Sequence, residues 1–132
     1  MPTIHVVCAV IIDENKKILA LQRGPHKPPA YKWEFPGGKI EPNESEINAI
    51  RREIREELHL EIQPMKRLKP SVQHTGLKTI RLIPFACRIR GGTLTLTEHS
   101  DFKWIEADKL HTLDWAIADL PIVHEIQNML KS

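Results

Sequence analysis

The sequence is poor in the features that mark several large protein classes. Cysteine occurs only at Cys8 and Cys87, each inside an apolar run and neither in a C-x-x-C spacing. That excludes a disulfide framework and a cysteine-ligated zinc site, and predicts two buried free thiols in a reducing compartment. Charge of one sign is also lacking, with 19 Lys and Arg against 17 Asp and Glu for a net +2. Nucleic-acid binding normally needs a marked basic excess, so no nucleic-acid partner is expected. The longest apolar stretch near the start, Val6 to Ile12, is followed at once by Asp13 and Glu14. It is too short to span a membrane and has neither the basic head nor the small-residue cleavage site of a secretory signal. The expectation is a cytoplasmic domain with no membrane partner.

What is present is an ordinary globular balance, 41% hydrophobic and 27% charged over 132 residues, which is one domain's worth of chain, residues 1–132. Ile4 to Ile12 is β-branched and continuous, and a polar turn at Asp13 to Lys16 leads into Lys17 to Gln22, so the pair reads as a hairpin. Gly24 to Pro29 is a proline-rich loop, and Trp33 to Phe35 a short extended piece. A helix is predicted to Leu58 with Asn43 as its N-cap, Glu46 completing a capping-box-like pair, and Ile47, Ile50, Ile54 and Leu58 as the core face. Thr79 to Arg90 reads as a strand that Pro84 places at an edge or a bulge, and Gly91-Gly92 as a tight turn into a strand over Thr93 to Thr97. Phe102 to Ile105 reads as a further strand and Pro121 to Leu130 as a second helix. The class is α+β, a mixed β-sheet sandwiched between α-helices.

On the first helix Glu53, Glu56 and Glu57 share one face, because positions three and four apart lie within about 100°. Three carboxylates held together repel. Either a divalent cation with a preference for oxygen ligands compensates them, or they form a solvated acidic face paired with Arg51, Arg52 and Arg55.

The stretch from Gly38 to Leu60 resembles the Nudix box. Gly38, Glu44, Arg52, Glu53, Ile54, Glu56, Glu57 and Leu60 match it, and His59 stands where the family has glycine. That position usually ends the helix in a left-handed conformation. The run Trp33-Glu34-Phe35-Pro36-Gly37-Gly38-Lys39 is similar to the approach segment of MutT-type members, and the segment Leu113 to Pro121 to CTP pyrophosphohydrolases and enzymes that clear oxidised nucleotides. The resemblance implies the Nudix fold and a metal-dependent nucleoside triphosphate pyrophosphohydrolase. Its substrate would be a small-molecule (d)NTP such as CTP, 5-methyl-dCTP or 8-oxo-dGTP, cleaved to monophosphate and pyrophosphate.

It further implies Mg²⁺ or Mn²⁺ held by Glu53, Glu56, Glu57 and the Gly38 carbonyl, with Arg52 orienting Glu53 and Lys39 approaching a phosphate. Glu53 is the expected general base, with Glu98 as rival; Glu98 reads equally as a solvated loop residue. Asp119 either caps the last helix or reads the base, as MutT-like enzymes do from that loop. Phe35 is the expected base or sugar neighbour, and Arg23 either meets a phosphate or is a surface arginine. The expected protein is a monomer, with a homodimer as the alternative. Two other functions stay open: hydrolysis of another nucleoside diphosphate derivative, such as ADP-ribose or a dinucleoside polyphosphate, and a non-catalytic nucleotide-sensing module. The proline or tyrosine markers of the former are missing around Thr75 to Leu77.

Overall fold

A computed structural model describes residues 2–130. In chain order the elements are β1 (Thr3–Ile11), β2 (Lys17–Gln22), β3 (Trp33–Glu34), β4 (Gly37–Lys39), α1 (Glu46–Leu58), β5 (Leu60–Arg67), β6 (Ser71–Thr75), β7 (Lys78–Gly92), β8 (Asp101–Glu106) and α2 (Leu120–Met129). Two short 3-10 turns, Ala107–Thr112 and Ile117–Asp119, lead from β8 into α2.

The unbroken apolar run of β1 is explained by burial on both faces. Val7, Ala9 and Ile11 face a core with Ala49, Ile50, Ile54 and Leu58 of α1, whereas Cys8 and Val10 face a second core with Ile122, Val123 and Ile126 of α2. β1 lies inside a mixed sheet ordered β4-β1-β7-β5, parallel to β7 and antiparallel to β4, with β6 also on β7. A separate antiparallel sheet runs β3-β2-β8. Both cysteines are buried and unpaired, as their apolar setting predicts.

Local expectations fail in five places. β1 and β2 are not a hairpin; only an isolated Ile12–Ile18 bridge joins them, because β4 and β7 already occupy both sides of β1. Asn43 does not cap α1. It sits at φ 65° in the preceding turn, and Ser45 Oγ accepts from the Asn48 N–H at 3.1 Å instead. Ile47, in the first turn, is exposed, and Ala49 completes the buried face. Pro84 lies in a central strand: its carbonyl accepts from Leu68, and its missing N–H points to the gap where β6 ends and β5 begins.

The fifth failure bears on function. Residues 93–97 form no strand. Gly91 and Gly92 instead finish β7 opposite Glu61 and Leu60, where a Cβ on Gly92 would lie 2.3 Å from the His59 carbonyl. The segment then folds back over the end of α1. Thr95 N–H donates to the Leu58 carbonyl and Thr97 Oγ1 to the Glu57 carbonyl, both at 3.0 Å. These carbonyls belong to the last turn, which has no N–H donors of its own to offer them, so the loop supplies what the helix lacks.

Candidate active site

Glycine at two consecutive positions lets β4 pass between β1 and α1. A Cβ on Gly37 would lie 1.9 Å from the Val7 carbonyl oxygen, and one on Gly38 would lie 2.4 Å from the Glu53 carboxylate. The Glu53 side chain thus rests directly on the Gly38 backbone, and any other residue there displaces it. Glu57 is mostly buried on the same face of α1, and its Oε1 accepts from the Gly37 N–H at 3.0 Å. Glu56, one turn from Glu53, remains exposed.

Arg52 fastens the loop to the helix. Its Nε and Nη2 donate to Glu44 at 2.7 and 2.9 Å, Nη1 to Glu53 at 2.9 Å and Glu56 at 3.3 Å, and Nη2 to the Lys39 carbonyl at 3.1 Å. The bidentate Arg52 contact and the Glu41 N–H hold the Glu44 carboxyl down at about 2. Glu57 is shifted the other way. Burial and the neighbouring Glu53 charge push it up to about 8 despite the Gly37 hydrogen bond. The helix ends at His59 in the left-handed conformation, φ 57° and ψ 34°, the geometry expected of this position and one that favours glycine.

The donor chemistry fits a hard dication. Glu53, Glu56 and Glu57 offer only oxygen, and a buried carboxyl raised by its neighbour's charge is one that a cation would relieve. In the present arrangement the Arg52 guanidinium takes Glu53 and Glu56, and among the described residues no three His, Cys, Asp or Glu converge at metal-ligand spacing.

A cleft of about 320 Å³ opens beside this cluster. Arg23, Lys27, Phe35, Gly38, Lys39 and Asp119 all line it, which brings most of the expected binding residues to one place. Lys39 is exposed at the mouth. Asp119 forms no side-chain cap for α2; its Oδ2 accepts from the Phe35 N–H at 2.8 Å, and burial pushes its carboxyl up to about 7. The Phe35 ring is buried against Trp115, centroids 4.7 Å apart, so it serves as the wall behind the cleft and not as an open stacking platform. Arg23 is neither solvated nor free, because its Nε donates to Glu34 at 2.7 Å. Glu98 is exposed and does not line the cleft.

Besides Lys27 in the cleft wall, two polar residues of the site escaped sequence reasoning. Glu34 Oε1 takes Arg23, and its Oε2 meets His99 Nε2 at 2.8 Å. Burial opposes ionisation of Glu34, but hydrogen bonds from His99 and Arg23 and the charges of Arg23 and Lys27 outweigh it and hold the carboxyl below its ordinary value. A charged residue between Trp33 and Phe35 was the available signal for Glu34. For His99 the sequence offers none, since a single histidine has no spacing partner.

The site thus combines a glycine turn laid against an acidic helix, an arginine locking both, and a cleft lined by Arg23, Lys27 and Lys39. Comparison with known proteins makes the class specific. A model of the NUDIX domain matches residues 1–126, and the chain belongs to the NUDIX family, whose hydrolases generally use a divalent metal. It is 35% identical over 123 residues, covering 93% of this chain and 90% of the relative, to the CTP pyrophosphohydrolase of Escherichia coli K12. It is 29% identical over 126 residues, 96% and 95% covered, to the 8-oxo-dGTP diphosphatase of Buchnera aphidicola. Among solved structures, MutT from methicillin-resistant Staphylococcus aureus 252 superposes with a TM-score of 0.79 at 37% identity, covering 98% of this chain and 99% of that one. No helix among the described residues is long and apolar enough to cross a membrane.

Proposed function

We propose that this protein is a nucleoside triphosphate pyrophosphohydrolase of the MutT-like kind, which uses Mg²⁺ or Mn²⁺ to cleave a (d)NTP to a monophosphate and pyrophosphate. The observation that carries the reading is the contact of Glu53 and Glu57 with the glycine turn at the mouth of a cleft whose inner end holds Asp119. Glu53, Glu56 and Glu57 with the Gly38 carbonyl would hold the metal, which would supply positive charge to the phosphate oxygens and the pyrophosphate leaving group.

The chain's own groups do the rest. Arg52 orients Glu53 through its Nη1, and Glu53 accepts the proton of the attacking water; Glu98 is the rival base. Lys39 meets a phosphate from the mouth, whereas Arg23 acts through Glu34. Asp119, with Oδ2 committed to Phe35, has Oδ1 left for the base, accepting from an exocyclic amine or, when protonated, donating to a ring acceptor. CTP, 5-methyl-dCTP and 8-oxo-dGTP are the substrates this chemistry and the named relatives support. The same reading makes residues 1–132 one domain, working as a cytoplasmic monomer.

A panel of these nucleotides with Mg²⁺, scoring pyrophosphate against orthophosphate, tests the reading. Pyrophosphate and monophosphate from at least one triphosphate are expected. Turnover of ADP-ribose or dinucleoside polyphosphates alone, or binding without turnover, would overturn it.

A further inference from the structure

His99 sits at the join between the two halves of this site. Its side chain is 2% exposed, and its loop is pinned on both sides: Thr97 Oγ1 donates to the backbone carbonyl of Glu57, and Ser100 N–H to that of Gln22 beside Arg23, at 2.9 Å. The loop so held delivers the imidazole between Glu34 and Glu57. Nε2 meets Glu34 Oε2 at 2.8 Å, while Nδ1 is buried without a hydrogen-bond partner and faces Glu57 Oε2 at 4.0 Å. Glu34 is an ionised acceptor, which makes Nε2 the donor. Hydrogen bonds run from Arg23 through Glu34 to His99, and from the Gly37 N–H to Glu57, and the Nδ1 edge of His99 faces Glu57 across the 4.0 Å gap between them.

We propose that His99 is a positioning residue that keeps two carboxylates apart and aimed in different directions, Glu34 into the nucleotide cleft and Glu57 toward the glycine turn. The inference rests on the pyrophosphohydrolase reading and adds to it a part for the loop after β7. The Nε2–H bond fixes Glu34 and with it Arg23 and the cleft wall. The Nδ1 edge bars Glu57 from swinging toward Glu34, which leaves its carboxylate beside Gly37 and Glu53. Partners of this indirect kind, when removed, typically cost about 10–100-fold in metal affinity.

The two nitrogens can be tested separately. Glutamine places its amide near the Nε2 position and asparagine near Nδ1. In H99Q the KM for the preferred nucleotide should stay within about threefold of wild type, while Mn²⁺ binding to the nucleotide-free protein, read by electron paramagnetic resonance, weakens about tenfold. H99N should show the reverse, with near-normal Mn²⁺ binding and a KM raised about tenfold. H99L should lose both. If H99L does not fold, as judged by circular dichroism, the opposed pattern of H99Q and H99N still decides. Equal losses in those two variants, or wild-type KM and Mn²⁺ binding in either H99L or both of them, would overturn the proposal. A wild-type protein that releases no pyrophosphate from any triphosphate would instead refute the function itself.

Discussion

Glu57 links the stability of the protein to pH and to metal in a way that can be worked out from its surroundings. Its carboxyl rises from an ordinary 4.5 to about 8 on folding, through burial and the Glu53 charge. Between those values the folded chain holds a proton that the unfolded chain has released, so stability falls as pH rises. The favourable contribution is complete below pH 4.5 and is lost as pH climbs through 8. From pH 6 to pH 9 the loss integrates to about 2–3 kcal/mol, or roughly 10 °C in Tm for a chain of this size. Asp119, raised from 3.8 to about 7, adds a loss of the same sign of about 1 kcal/mol. Thermal unfolding in EDTA at pH 6, 7.5 and 9 should therefore show a falling Tm. In E57Q the fall should shrink to the share owed to Asp119. Saturating Mg²⁺ should flatten the wild-type profile, because a dication binds the ionised carboxylate and opposes its reprotonation. An E57Q profile parallel to that of wild type in EDTA would refute the reasoning.

Further variants separate fold from chemistry. G37A should destabilise the protein by about 3 kcal/mol or more in urea titration, since its Cβ would strike the Val7 backbone. G38A meets only the end of the Glu53 side chain, so its urea midpoint should stay near wild type while kcat falls about a hundredfold. H59G should raise stability by about 1 kcal/mol in the same titration, because glycine adopts the left-handed exit without the penalty histidine bears. D119N keeps an acceptor for Phe35 and should leave the fold intact, yet change the relative kcat/KM values for CTP, 5-methyl-dCTP and 8-oxo-dGTP by about tenfold.

The box was legible because its residues lie within one turn and one helix, so their spacing carries the family resemblance; position alone shows only that the three glutamates share a helix face. The family's left-handed exit is kept at His59 although histidine replaces the usual glycine, an outcome the substitution itself did not reveal. What the sequence hid was set by contacts between distant segments. The alternating Leu and Thr of residues 93–97 satisfy a strand pattern, but the last carbonyls of α1 needed hydrogen-bond donors there, and the loop provides them. β1 and β2 look like neighbours until their doubly apolar faces are assigned to two cores. Asp119 was ambiguous between cap and cleft because only Phe35, 84 residues away in sequence, decides it. Glu34 and His99 are similarly brought together across 65 residues.

The most direct test of the central claim is a crystal structure with Mn²⁺ and a non-hydrolysable triphosphate analogue, read by anomalous scattering. Manganese peaks are expected within about 2.0–2.3 Å of oxygens from Glu53, Glu56 and Glu57, beside the triphosphate, with Arg52 withdrawn from Glu56. A nucleotide seated in the cleft while those carboxylates stay on Arg52, with no manganese beside them, would contradict it.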